Sequence, residues 1–169
     1  MRAVIQRTKE CTLSIDDKEY SKISGGFLIL LGISGEDTEK EAELLCEKIL
    51  RMRIFSDENG KMNLSVTDEK VKGDLMVVSN FTLYANCKSR RPDFLRAGKP
   101  AEANRLYEYF LACIKDTAKK ISSENASAYI PEIKTGVFGA DMQINLINDG
   151  PVTIILDTDE LKNGGRSAV

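Results

Sequence analysis

The chain reads as a mixed α-and-β domain of the α+β class, and three features of its 169 residues predict this. Segments near both ends alternate apolar and polar side chains with the period of two that a half-buried strand requires. The run from Phe27 to Ile33 is apolar at nearly every position and bounded by Gly25-Gly26 and Gly35. Two further stretches carry apolar residues at helical spacing. Strands before, between and after two helices imply substantial antiparallel pairing.

In chain order, Arg2 to Thr8 and Cys11 to Ile15 alternate as two strands, with Lys9-Glu10 predicted as the turn of an opening hairpin. A polar stretch, Asp16 to Lys22, leads to the Phe27 to Ile33 run, predicted as a fully buried central strand. Thr38-Glu39-Lys40-Glu41 offers a capping box, and Ala42, Leu45, Cys46, Ile49 and Leu50 make the buried face of a helix to about Met52. Asn59-Gly60 predicts a hairpin turn after Ile54-Phe55.

Asp74 to Tyr84 has the branched and aromatic composition of a strand crossing the core. From Ala85 to Lys99 cations gather among Ser89, Pro92 and Gly98, which predicts a basic loop. Pro100 suits the first turn of a second helix, with Ala103, Leu106, Tyr107, Phe110, Cys113 and Ile114 as its stripe, running to about Ile121. Alternation returns through Ile133 to Phe138 and Met142 to Ile147. A turn at Asn148-Asp149-Gly150-Pro151 and a last strand, VTIILDT, complete a single domain over 1–158. Residues 159–169 are expected to form a frayed tail.

Composition narrows the chemistry. An apolar fraction of 42% and a charged fraction of 30% are those of an ordinary globular domain. MRAVIQRTKE lacks a signal-peptide core and no membrane span is visible, so a cytoplasmic address is expected. Cys11, Cys46, Cys87 and Cys113 contain no CxxC pair, which suggests neither a zinc site nor a disulfide framework. With no histidine in the chain, Ser-His and Cys-His catalytic pairs are excluded. A net charge of −2 confines any nucleic-acid contact to a local patch. Lys88, Arg90 and Arg91 in the basic loop are the candidates for touching nucleic-acid phosphates. No metal or cofactor is expected.

Gly150-Pro151 alone would be an ordinary tight turn. It stands, however, within NDGPVT, and VIQRT near the N-terminus, SNFTL at Ser79 to Leu83 and FGADM at Phe138 to Met142 precede it. In that order and spacing, with RIFSDENGKMNLSV and RPDF, they resemble the D-aminoacyl-tRNA deacylase family over roughly Met1 to Asp157. The resemblance implies a barrel-like, largely antiparallel sheet flanked by two main helices. It also implies a cytoplasmic homodimer that hydrolyses the ester of D-aminoacyl-tRNA and, by the same logic, of glycyl-tRNA.

In such a family the Gly150-Pro151 bond is cis and reaches into the partner subunit's site. There two carbonyls accept hydrogen bonds from the substrate ammonium, so that an L side chain meets protein and a D side chain meets open space. The resemblance puts Arg7 beside that turn, Phe138 and Met142 around it, and Ser79, Phe81 and Thr82 at the catalytic centre. Backbone N–H groups near Phe81 and Thr82 would then stabilise the ester oxyanion. Thr82 lacks a base to make it a nucleophile, and the ribose 2′-hydroxyl next to the ester is the preferred alternative for activating water. Asn80 stands where the family usually has glutamine, which leaves any contact of that amide open. A dimer that binds nucleic-acid ends without chemistry is the competing reading.

Overall fold

The computed structural model describes residues 1–163. Its first strand, β1, runs from Arg2–Ile15 without interruption, in place of the expected hairpin at Lys9-Glu10. Ala3, Ile5 and Arg7 are buried on one side of Lys9-Glu10, and Cys11 and Leu13, on the other side, are buried in a second apolar cluster. Thr8 is buried too, and the register with the last strand shifts between Thr8 and Glu10, so a bulge rather than a turn interrupts the alternation. Lys9 is an exposed position within that bulge. The chain reverses instead at Asp16 and Asp17, with φ of 51° and 59°. Positive φ at both central residues matches the twist of a two-residue hairpin, and aspartate tolerates it better than most side chains. The polar stretch that follows is therefore an edge strand, β2 (Lys18–Ile23), antiparallel to β1.

β3 (Gly26–Gly32) pairs antiparallel with the first half of β1. Its other edge is parallel to β6 (Asp74–Ser79). Both faces of β3 are covered, which explains its unbroken apolar run. Phe27, Ile29 and Leu31 face a core shared with the helices, whereas Leu28 joins Cys11, Leu13, Met76 and Val78 inside the curved sheet. Gly26, at φ +120°, lies so close to β6 that a Cβ would sit 1.9 Å from the Asp74 carbonyl oxygen.

Helix α1 (Glu39–Arg51) starts with the predicted capping box at Thr38. The hairpin of β4 (Phe55–Ser56) and β5 (Met62–Leu64) turns through Gly60 at φ +74°. Helix α2 (Pro100–Glu124) begins at its proline, as expected, and continues one turn beyond Ile121. β7 (Ile133–Thr135) is shorter than the alternation suggested, and the chain then loops through Gly139 at φ +76°. Ser21 Oγ on β2 donates to the Thr135 carbonyl on β7 at 3.0 Å, drawing the two ends of the sheet together into a nearly closed barrel.

β8 (Gln143–Asp157) is one strand that pairs with β1 on both sides of Asn148 to Pro151. The predicted turn there is an outward excursion, not a reversal. Gln6 is opposite Thr153 and Thr8 opposite Asn148, so Arg7 alone faces the four residues Asp149 to Val152. A large bulge of this kind re-aims the backbone without ending the strand.

The tail also departs from expectation. Thr158–Asn163 form a short helix, α3, rather than a frayed end. Thr158 Oγ1 accepts a hydrogen bond from the Met1 ammonium at 2.6 Å, and Asp37 pairs with the same ammonium. Lys162 bonds to Glu41 on α1. The remaining part of the predicted tail, 164–169, lies outside the described residues.

Candidate active site

The SNFTL segment begins as predicted and then departs. Ser79 ends β6, and the chain enters a short 3-10 turn over Phe81–Tyr84 instead of continuing as a strand. Asn80 is the reason. Its backbone N–H donates to the Leu31 carbonyl at 2.8 Å, which fixes it to the end of β3. Its side-chain Oδ1 accepts from the Thr82 N–H at 3.1 Å and from the Thr82 hydroxyl at 2.5 Å. Asparagine side chains compete with a sheet ladder in this way by bonding their own backbone two residues on. Gly32 lets the turn settle on β3, since a Cβ there would meet Leu83 Cβ at 2.9 Å. Arg2 secures the far end, donating to the Leu83 carbonyl at 3.0 Å and lying over the Tyr84 ring.

One expectation is corrected by this geometry. The Thr82 N–H is occupied by Asn80 and is not a free oxyanion donor, while the Phe81 N–H has no acceptor among the described residues. Thr82 is exposed, and its hydroxyl proton points to Asn80.

A cavity of about 770 Å³ opens beside this turn. Among its walls it brings together Ser79, Asn80 and Phe81 with Phe138 and Met142, five of the residues that the motifs single out. Leu30, Leu31 and Ile33 line it from β3. Phe94 and Leu95, which sequence alone places within a basic loop and gives no role, complete it. Phe94 meets Phe81 edge to face, with ring centroids 5.0 Å apart. Their apolar character amid cations is the signal that could have found them.

Arg7, Gly150, Pro151 and Thr82 are not among the cavity's lining residues. Arg7 pairs in register with Phe27, whereas the turn is anchored at Leu31, four residues on or roughly 13 Å along a strand. Arg7 is nonetheless beside the Gly-Pro segment, as anticipated. Its side chain is buried, with Nε donating to the Asp149 carbonyl at 3.2 Å and standing 3.1 Å from the Asp149 carboxylate. Nη1 donates to the Ile54 carbonyl. Asn148 clasps the base of the excursion, Oδ1 taking the Val152 N–H at 3.0 Å and Nδ2 donating to the Val152 carbonyl at 3.3 Å. The Gly150-Pro151 bond is cis, and both residues are exposed at the tip.

Lys88, Arg90 and Arg91 are exposed on a hairpin-like loop closed by a two-way backbone pairing of Asn86 with Asp93. Among the described residues none of the three makes an ion pair, so their charge is available to an external anion. No described helix is long and apolar enough to cross a membrane.

This combination defines a class: a single-domain α+β protein with a largely apolar cavity at the rim of a near-closed barrel, edged by Ser79 and Asn80 and, among charged residues, by Lys99 and Asp141. Residues 4–157 match the family model described as D-Tyr-tRNA(Tyr) deacylase. A D-aminoacyl-tRNA deacylase of Dictyoglomus turgidum is 47% identical over 98% of this chain and 98% of its own length. One from Thermus aquaticus is also 47% identical, over 98% of this chain and all of its own. Among solved structures, one described as a c-Myc DNA unwinding element binding protein is 40% identical, with TM-score 0.81 over 93% of this chain and 98% of that one. The fold is shared as well by a probable eukaryotic D-amino acid tRNA deacylase at 17% identity and TM-score 0.73, covering 92% and 97% of the two chains. The chain belongs to the D-aminoacyl-tRNA deacylase family and is by that membership a hydrolase.

Proposed function

We propose that this protein hydrolyses the ester joining a D-amino acid to the 3′ end of tRNA, in the cytoplasm, as a chiral proofreading step. Water adds to the ester carbonyl carbon, the bond from that carbon to the ribose oxygen breaks, and the released oxygen takes a proton. The products are free D-amino acid and tRNA. No side-chain base is required if the neighbouring ribose hydroxyl activates or orients the water, and the chain has no histidine that could replace it. The exposed Thr82, with its proton engaged by Asn80, suits a positioning role better than a nucleophilic one.

The observation that carries the reading is the Asp149 to Val152 excursion: an exposed main-chain tip, held at its base by Arg7 and Asn148, standing apart from its own chain's cavity. Such a tip serves a second protomer. In the proposed homodimer the partner's Gly-Pro carbonyls take the substrate ammonium, leaving space for a D side chain and none for an L side chain. Ile147 and Ile155, 50% and 70% exposed on β8, offer apolar surface to that interface. Glycyl-tRNA, with no side chain to exclude, is accepted by the same logic.

The test offers tRNA charged with a D-amino acid, its L counterpart and glycine to the purified protein and follows amino-acid release. Rapid release from the D and glycyl forms with the L form intact is expected; equal rates for D and L would defeat the filter. A second reading, nucleic-acid-end binding without turnover, is favoured by the description of one solved relative as a DNA-binding protein. Tight binding with no release from any of the three substrates would select it.

A further inference from the structure

We infer that Asn80 supplies a catalytic hydrogen-bond donor, its Nδ2 group, which with the Phe81 N–H receives the ester oxygen. The inference rests on the ester-hydrolysis reading above and assigns a role to the position where this chain departs from its family's glutamine.

The orientation of a side-chain amide is ordinarily ambiguous, because its oxygen and nitrogen look alike. Here chemistry settles it. The Thr82 backbone N–H, 3.1 Å away, can only donate, so the atom facing it must be the oxygen. The Thr82 hydroxyl reinforces this at 2.5 Å. With Oδ1 committed to Thr82, the Nδ2 amino group lies on the opposite side of a planar carboxamide. It has no acceptor among the described residues, and Asn80 is one of the residues that line the cavity.

Three contacts hold the residue in place: its N–H to Leu31, its carbonyl receiving the Leu83 N–H at 3.4 Å, and Oδ1 to Thr82. The donor is therefore set before substrate arrives, the condition under which such groups stabilise developing charge most effectively. The adjoining Phe81 N–H is the second open donor, while the Thr82 N–H is consumed in fixing the first. A glutamine would place its amide one methylene further out and could not form the same short closure onto Thr82. The two-atom reach of asparagine is what couples the turn to the donor.

The test uses Asn80→Ser in the full-length protein. Serine still caps the turn by accepting the Thr82 N–H, so the fold is retained, but it offers no amide donor to the cavity. Expected is a fall in kcat of roughly 100- to 1000-fold, with KM for D-aminoacyl-tRNA and melting temperature close to those of the parent. A kcat within about threefold of the parent would overturn the inference. A second measurement needs no variant. The Asn80 side-chain amide protons of ¹⁵N-labelled parent protein should shift on saturation with a non-hydrolysable D-aminoacyl-amide of adenosine, and unmoved resonances would equally overturn it. If the parent itself releases no D-amino acid, the functional reading has failed; if the parent is active and the variant equally so, only the role of Asn80 has.

Discussion

Arg7 grips Asp149 at two points, donating from Nε to its main-chain carbonyl at 3.2 Å and standing 3.1 Å from its carboxylate. One buried cation thus fixes the backbone immediately before Gly150-Pro151. Arg7→Met would leave the Ile54 and Asp149 carbonyls without their donor, at a cost on the order of 2–4 kcal/mol. The expected result is a lower melting temperature together with at least a tenfold loss in kcat/KM for D-aminoacyl-tRNA. Lysine cannot span all three acceptors and should recover only part of the loss. Calorimetry and a deacylation assay on both variants check this.

Thr82→Ala should leave turnover within about tenfold of the parent, because the Asn80 bond to the Thr82 backbone survives the loss of the hydroxyl. Single-turnover release of amino acid measures it. A fall of several thousandfold with binding intact would make Thr82 the nucleophile.

Replacing Arg90 and Arg91 together by glutamine should weaken tRNA binding and flatten its dependence on salt, since a phosphate that no cation neutralises keeps its condensed counterion when the complex forms. Titrations at several ionic strengths report both effects. An unchanged slope would assign tRNA binding to another surface.

Acid stability should pass through Glu41. Burial works to raise its pKa, but hydrogen bonds from Lys162 and from the Thr38 side chain and backbone outweigh burial and bring it down to about 2. A depressed folded-state value contributes stability above the unfolded value of 4.5, and that stability is lost as pH falls from 4.5 toward about 2. Because the Lys162 side chain is 48% exposed, solvent screens part of the effect, leaving on the order of 1–2 kcal/mol. Glu41→Gln should therefore be less stable than the parent at neutral pH and indistinguishable from it near pH 2, as denaturant melts across that range will show.

Much of this architecture is legible in the sequence because local chemistry and tertiary packing agree. Thr38 and Glu41 mark the start of α1, Pro100 that of α2, and the apolar run of β3 is buried on both faces. Expectation fails where a local signal is overruled from a distance. Lys9-Glu10 looks like a turn, yet β8 pairs on both sides of it and β1 continues through a bulge. Asn148 to Pro151 has turn composition, yet both flanks return to the same partner strand, which no window of a few residues can reveal. SNFTL has strand propensity, but the Asn80 side chain bends it into a 3-10 turn. At the site, motif positions are identifiable one by one. Their division into a cavity group and a distant Gly-Pro group depends on register along β1, and that exists only in the folded chain.

In the proposed homodimer the Gly-Pro tip of one protomer completes the cavity of another, and mixing two crippled variants decides whether it does. Gly150→Val spoils the tip, because Gly150 has φ +129° and a Cβ there would sit 2.7 Å from Val152 Cγ2. Gly32→Val spoils the cavity by driving into Leu83 and the Asn80 carbonyl. Each should be inactive alone. Unfolded and refolded together, they should regain about a quarter of parental deacylation, since half the dimers are mixed and each mixed dimer holds one site built from two intact halves. If the mixture stays as inactive as its components while mixed dimers form, the site does not cross between protomers.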